Sequence, residues 1–371
     1  MRPVPAPHDR NDEISACAWL SIDLKALAAN YNIFKGMAAA GGVIKADGYG
    51  LGVAQVFAAL ENQGCPFYFV ATVDEALQLR ALTRKPVAVL GGLYDGAEDI
   101  YAQENIIPVL NSLAQIGRWR EMAEQRGIAL PALIQFDTGM NRLGLGRDET
   151  AKLHAEPERL KGLNVLYMMS HFACADEEGH AMNEEQHKRF IAATAPFPSI
   201  KKSLANSAGA FRSSAYHFDL LRLGMALYGL NPTPEKANPM KPVARLDARI
   251  LQVRNVSKNE TVGYSATYRF EKNTRVATVA LGYADGFLRS LSSRAERTAH
   301  LYYNGVPCPL IGRVSMDAVT LDVGHIANIQ AGEIVEVMGP HQDADTLAAA
   351  AGTIGYEILT DLGRRYHRKY L

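Results

Sequence analysis

Along residues 41–230, short apolar runs alternate with longer segments whose apolar positions recur at helical spacing. The runs at 42–45, 67–71, 87–90, 106–110, 132–136, 165–170, 202–205 and 219–222 predict strands. Segments between them, such as 74–83 and 112–126, predict amphipathic helices. Uniformly apolar strands separated by helices are parallel strands covered on both faces. Eight such units predict a (β/α)8 barrel in preference to a doubly wound sheet. After Pro242 the rhythm shortens. Runs at 249–256, 276–281, 299–303, 308–311, 318–323 and 333–338 are β-branched and closely spaced, with turn signals such as Asn304-Gly305 between them. The expected fold class is therefore α/β plus β: a barrel over 16–241, then a mostly antiparallel β domain over 242–371. Residues 1–15 read as an N-terminal extension. The apolar segment 16–22 could begin the barrel or pair with the β domain, and 344–359 looks helical until it breaks at Gly355.

Composition narrows the class without naming a chemistry. The 371 residues carry 39 basic and 39 acidic side chains, so the overall charge gives no argument for nucleic acid or an anionic membrane. No apolar run approaches the length of a bilayer span, and the first residues lack the apolar core of a signal peptide. Four cysteines stand far apart with no CxxC pair, which suits reduced thiols in a cytoplasmic protein.

Candidate chemistry gathers at the ends of the predicted barrel strands, where barrel enzymes place their reactive groups. Lys45 follows the first strand and precedes a glycine-rich turn containing Tyr49. A lysine at the edge of a buried strand is costly to keep charged, which makes it a nucleophile for carbonyl compounds and a Schiff-base candidate for pyridoxal phosphate. Asp137–Arg142 follow the fifth strand, His171 the sixth, Asn206-Ser207 the seventh and Arg222–Met225 the eighth. Each alone has a structural explanation: a cap, a core histidine, a solvated cation. Five at successive strand ends are hard to assign to chance. The last two clusters also suit a phosphate, met by the Ser207 hydroxyl and the backbone N–H groups of Gly224 and Met225.

The runs KADGYGLG (45–52), DTGMNRLG (137–144), SHFACAD (170–176), ANSA (205–208) and RLGMALYG (222–229) continue with GYSATY (263–268), GYADG (282–286), GRVSMD (312–317) and GYEIL (355–359). In this order the set resembles the pyridoxal-phosphate-dependent alanine racemases over nearly the whole chain. The resemblance implies a head-to-tail homodimer acting on L- and D-alanine, either to supply D-alanine for peptidoglycan or to serve alanine catabolism. Lys45 would hold the cofactor and act as one base, and the partner's Tyr264 would be the other. Arg222 would meet the pyridine nitrogen, with His171 behind it. Tyr49, Asn206, Ser207, Gly224, Met225 and Tyr356 would hold the cofactor, chiefly its phosphate. Arg142 and the Met316 backbone would meet the substrate carboxylate. Tyr283, Arg313, Ile354 and Asp176 resemble residues lining the entrance.

Two departures stand out. Gln135 takes a position where the family often carries a carbamylated lysine, so an amide that could bond Arg142 replaces a negative charge. Ser203 replaces a histidine common before the Asn-Ser pair. Three alternatives remain at this level. A non-catalytic pyridoxal-phosphate barrel would lack the second domain, whereas a racemase of another small amino acid such as serine would keep it. A nicotinamide dehydrogenase could use Gly48, Gly50 and Gly52 with Asp74, although the glycine spacing is wrong for it.

Overall fold

The computed structural model describes residues 14–293 and 298–371, so the expected N-terminal extension lies almost wholly outside the described residues. The chain divides into two compact units, Leu24–Lys241 and a second made of the residues through Asp23 together with Pro242–Leu371.

The first unit is built on eight parallel strands. After β1 (Ala18–Ile22), which belongs to the other unit, come β2 (Ala40–Val43), β3 (Tyr68–Val70), β4 (Val87–Val89), β5 (Ile107–Leu110), β6 (Leu130–Gln135), β7 (Leu163–Met169), β8 (Lys201–Ser203) and β9 (Leu221–Leu223). Their order is β8-β7-β6-β5-β4-β3-β2-β9, each pair parallel. β3 and β4 are buried throughout, as their unbroken apolar sequences require. The seam between β8 and β9 is closed by one parallel bridge, Asn206 to Arg222, with the Arg222 N–H donating to Ala205 O at 3.0 Å. Every expected barrel strand is present. The first lies two residues earlier than its apolar run suggests, because Gly41 and Gly42 pack where a Cβ would stand 2.9 Å from Phe69 and 2.8 Å from Leu60.

The second unit contains β10 (Ala244–Val256), β11 (Thr261–Val262), β12 (Tyr268–Arg269), β13 (Thr274–Val279), β14 (His300–Tyr303), β15 (Val306–Ile311), β16 (Val319–Asp322), β17 (Ile334–Met338) and β18 (His367–Tyr370). Its main sheet runs β13-β16-β15-β14-β17-β10-β1-β18, and β13 also pairs with β10, so the sheet closes on itself. Pairing is antiparallel apart from β1 with β18. Of the two placements left open for residues 16–22, the structure takes the β unit: Ala18–Ile22 alternate buried and half-buried against β10. The expected break at Gly355 moves to Gly352, whose φ of 79° ends the helix Ala344–Ala351, while Gly355 opens the helix Gly355–Thr360. No helix among the described residues is long and apolar enough to cross a membrane.

Candidate active site

Lys45 stands two residues beyond β2, where the backbone enters a left-handed turn. Ala46, Asp47, Gly48, Tyr49 and Gly50 all have positive φ, between 53° and 77°. For the three that are not glycine this costs roughly 1–2 kcal/mol each. Two carboxylates hold the turn in place. Glu75 Oε1 accepts the Ala46 N–H at 2.6 Å, while its Oε2 accepts the N–H of Ala71 at 2.7 Å. Asp47 Oδ1 accepts the Val53 N–H at 2.8 Å. This turn is also why the nicotinamide alternative fails: the glycines shape a left-handed loop around Lys45 rather than the tight turn of a dinucleotide fingerprint, and Asp74 lies in the first turn of the helix Val73–Arg80.

Burial lowers the Lys45 pKa, the charge of Arg142 lowers it further, and Glu75 opposes both. Tyr49 is buried and stacks on Tyr228 with ring centroids 4.3 Å apart. A Cβ on Gly224 would lie 2.6 Å from the Tyr49 hydroxyl, so only glycine leaves that space open. Ser207 Oγ accepts the N–H of Gly224 at 3.0 Å and of Ala226 at 3.4 Å, which leaves its own O–H to donate. Asn206 caps the helix that starts at Ser207, accepting the Gly209 N–H at 2.8 Å.

Arg222 is buried in β9 and commits both terminal nitrogens. Nη1 donates to Ser203 O at 3.0 Å and to Ser203 Oγ at 2.7 Å. Nη2 donates to Ser170 O at 2.5 Å, Leu204 O at 3.3 Å and His171 Nδ1 at 3.2 Å. Among the described residues no acceptor meets its Nε–H and no carboxylate pairs with it. Burial pulls the guanidinium down to about 9, still cationic at neutral pH. Because arginine only donates, His171 Nδ1 must be the accepting nitrogen, and the ring proton resides on Nε2. Burial, then Arg222, Arg142 and Lys45, push His171 down to about 3, so the ring is neutral.

Arg142 is exposed and forms no ion pair among the described residues. The expectation that Gln135 could bond it is corrected: the buried Gln135 amide donates to Leu143 O at 3.0 Å. Its amide oxygen, the only atom of the side chain that could accept from a guanidinium, makes no bond to Arg142 among the described residues.

The remaining candidates lie in the second unit. Tyr264 is 70% exposed on a turn where Gly263, Ser265 and Ala266 have positive φ. Arg313 Nη1 donates to Ser265 Oγ at 2.9 Å and anchors that turn. The Tyr283 and Met316 loops meet directly: Tyr283 N–H donates to Ser315 O at 3.1 Å and Ala284 N–H to Met316 O at 3.0 Å. Tyr356 is half-buried in the helix Gly355–Thr360, Ile354 is exposed just before it, and Asp176 is exposed in the loop after β7.

With that geometry in place, the alanine racemase N-terminal domain profile matches residues 22–232 and the C-terminal domain profile matches 243–370. The chain belongs to the alanine racemase family. It is 47% identical to the alanine racemase of Acidiphilium cryptum over 94% of this chain and 97% of that protein. It is 43% identical to a catabolic alanine racemase of Mesorhizobium japonicum, over 97% of this chain and 94% of the other. Its structure superposes on the Bartonella henselae alanine racemase crystallised with covalently bound pyridoxal phosphate, at a TM-score of 0.93 and 38% identity, covering 96% of this chain and all of that one. The fold is that of the alanine racemases.

For such a racemase, sequence reasoning missed the residues that hold the site's shape. Glu75 was within reach, since Thr72 and Glu75 form a capping box in an S/T-x-x-E pattern. Ser203 was noted only as a departure, yet it is a principal partner of Arg222.

Proposed function

We propose that the chain interconverts L- and D-alanine with pyridoxal phosphate bound through Lys45, using Lys45 and the partner's Tyr264 as bases on opposite faces of Cα. The observation that carries the reading is the Lys45–Arg222–Ser207 constellation at the barrel's strand ends, in a family of alanine racemases. The cradle fits the cofactor. It has an open donor at Arg222 Nε, a free hydroxyl at Ser207, space above Gly224 beside Tyr49, and cations without carboxylate partners at Arg142 and Arg222.

Pyridoxal phosphate, when bound, supplies an aldehyde carbon for an amine and a conjugated ring that draws electrons away from the substrate's Cα–H bond. The protein's own groups do the rest. Racemisation removes a proton from one face of Cα and returns one to the other, so two bases must flank that carbon. Lys45, with its pKa lowered by burial and Arg142, can carry the proton at Nζ on one side. On the other face the proton is carried by the phenolic oxygen of the partner's Tyr264, a group exposed enough in its own chain to reach across a head-to-tail dimer. Arg222 would meet the ring nitrogen with an N–H it does not surrender, which would keep that nitrogen unprotonated and restrain stray transamination. The neutral His171 accepts from Arg222 and cannot add a proton of its own. In the barrel unit, Tyr49, Ser207, Gly224 and Met225 would hold the phosphate and Arg142 would meet the substrate carboxylate; the family resemblance assigns Tyr356 to the former role and the Met316 N–H to the latter.

Chiral analysis across a panel of L-amino acids tests the reading. Alanine is expected to racemise fastest, with serine slower because the site must admit one more oxygen. Equal rates for serine would make the chain a broader small-amino-acid racemase, and no racemisation would overturn the proposal.

A further inference from the structure

The loop carrying Tyr283 and the loop carrying Met316 are joined by one side chain that no sequence motif singled out. Arg365 donates Nε to Asp285 Oδ1 at 2.6 Å and Nη2 to Asp285 Oδ2 at 2.8 Å, a bidentate fork onto a buried carboxylate. Its remaining arm, Nη1, donates to Asp317 Oδ1 at 2.7 Å. Asp285 closes the 282–285 turn, accepting the Gly282 N–H at 2.9 Å through Oδ2. Asp317 directly follows Met316. Arg365 itself stands two residues before β18, which is fixed to β1.

Contact between the loops is close enough to make their register critical. A Cβ on Gly282 would lie 2.2 Å from Met316 O, and one on Gly286 would lie 1.7 Å from Asp361 O. The Gly363 N–H donates to Asp285 O at 2.9 Å, so three segments are stacked with no slack. Met316 O is already engaged by the Ala284 N–H. Among the described residues the Met316 N–H has no acceptor, and it points from a residue that is half-exposed. Its direction is therefore set by how the two loops lock.

We propose that Arg365 is a positioning residue: its fork on Asp285 and its third arm on Asp317 hold the Tyr283 and Met316 loops in the register that aims the Met316 N–H at the substrate carboxylate. The inference rests on the racemase reading for what the N–H meets, but not for the lock itself. Arginine is required because a lysine has one nitrogen and cannot bridge two carboxylates with a planar fork.

The test compares Arg365→Gln, Arg365→Lys and Asp317→Asn as cofactor-loaded full-length protein. Asp317 has a side chain 62% exposed, so Asp317→Asn reduces one arm from an ion pair to a neutral hydrogen bond without opening the core. For Arg365→Gln, KM for alanine is expected to rise about tenfold and kcat to change less than about twofold, the mark of lost ground-state binding. Asp317→Asn should raise KM by about threefold with an unchanged thermal midpoint, and Arg365→Lys should fall between the two. Hydrogen exchange at the amides of Tyr283 and Ala284 should quicken in all three. Unchanged KM and unchanged exchange in Asp317→Asn would overturn the proposal, as would a lowered thermal midpoint in Arg365→Gln with KM unmoved. If the wild-type protein turns over no alanine, the racemase reading fails separately, and exchange at residues 283 and 284 still decides whether Arg365 locks the loops.

Discussion

The two units present their candidate residues in opposite ways. In the barrel unit, Arg142 and Asp176 apart, those around Arg222 are buried or half-buried and bonded to one another: Arg222 alone contacts Ser170, His171, Ser203 and Leu204. In the β unit they stand outward on tight turns, with Tyr264, Tyr283, Met316 and Ile354 all exposed. Yet the turns themselves are firmly held, by Arg313 in one case and Arg365 in the other. On the proposed reading, the first unit would enclose the cofactor's phosphate. The other is shaped to present side chains on a rigid frame to something outside itself, which fits the proposed sharing of Tyr264 between subunits.

That contrast can be broken at either side, and the largest effect is expected at Lys45. Lys45→Ala should abolish both turnover and the visible absorbance of bound cofactor; retained absorbance with turnover would place the attachment elsewhere. Next comes Tyr264→Phe, which should keep the absorbance and slow α-hydrogen exchange selectively for one enantiomer. Mixing dissociated Lys45→Ala and Tyr264→Phe subunits should then restore part of the wild-type turnover, because mixed dimers contain one intact site. If mixing restores nothing, each site is built from one chain. A smaller loss is expected from Gly224→Ala, whose added methyl meets the Tyr49 hydroxyl. Overpacking of about 1–3 kcal/mol should weaken cofactor retention on dialysis by roughly tenfold or more, with the fold intact.

The last test concerns stability against pH, away from turnover. His171 is held neutral in the folded barrel down to about 3, whereas the unfolded chain takes up that proton near 6.5. Its contribution to stability is thus full above about 6.5 and is lost as pH falls from there toward 3, by at most roughly 1.4 kcal/mol per unit. His171→Gln should flatten the fall in urea stability over this range while keeping an acceptor for Arg222. An unchanged slope would mean the ring protonates in the folded state.

Much of the barrel was legible because parallel strands buried on both faces leave an apolar signature that little else imitates. β2 was found but placed two residues late, since its close-packed Gly41 and Gly42 carry no hydrophobic signal. The candidate site was legible where a side chain does chemistry, as at Lys45 and Arg222. It was far less so where a side chain holds another in place. Glu75, Asp285 and Arg365 are ordinary charged residues by any local measure, and only their distant partners make them distinctive. Gln135 shows the reverse case, a polar side chain whose obvious partner was Arg142 and whose actual partner is a carbonyl eight residues along.

The amino-acid order alone determined the alternation of strand and helix, the change of texture after Pro242 and the set of reactive residue types at strand ends, because periodicity and residue chemistry are local properties. Tertiary structure alone decided three matters. It assigned β1 to the β unit, it set the left-handed turn that exposes Lys45 to Arg142 and Glu75, and it tied the Tyr283 and Met316 loops through Arg365. Each depends on contacts between residues far apart in the chain, 29 positions for the Glu75 clamp and 80 for the Arg365 fork. The free energy of such contacts is realised only once the intervening chain has folded.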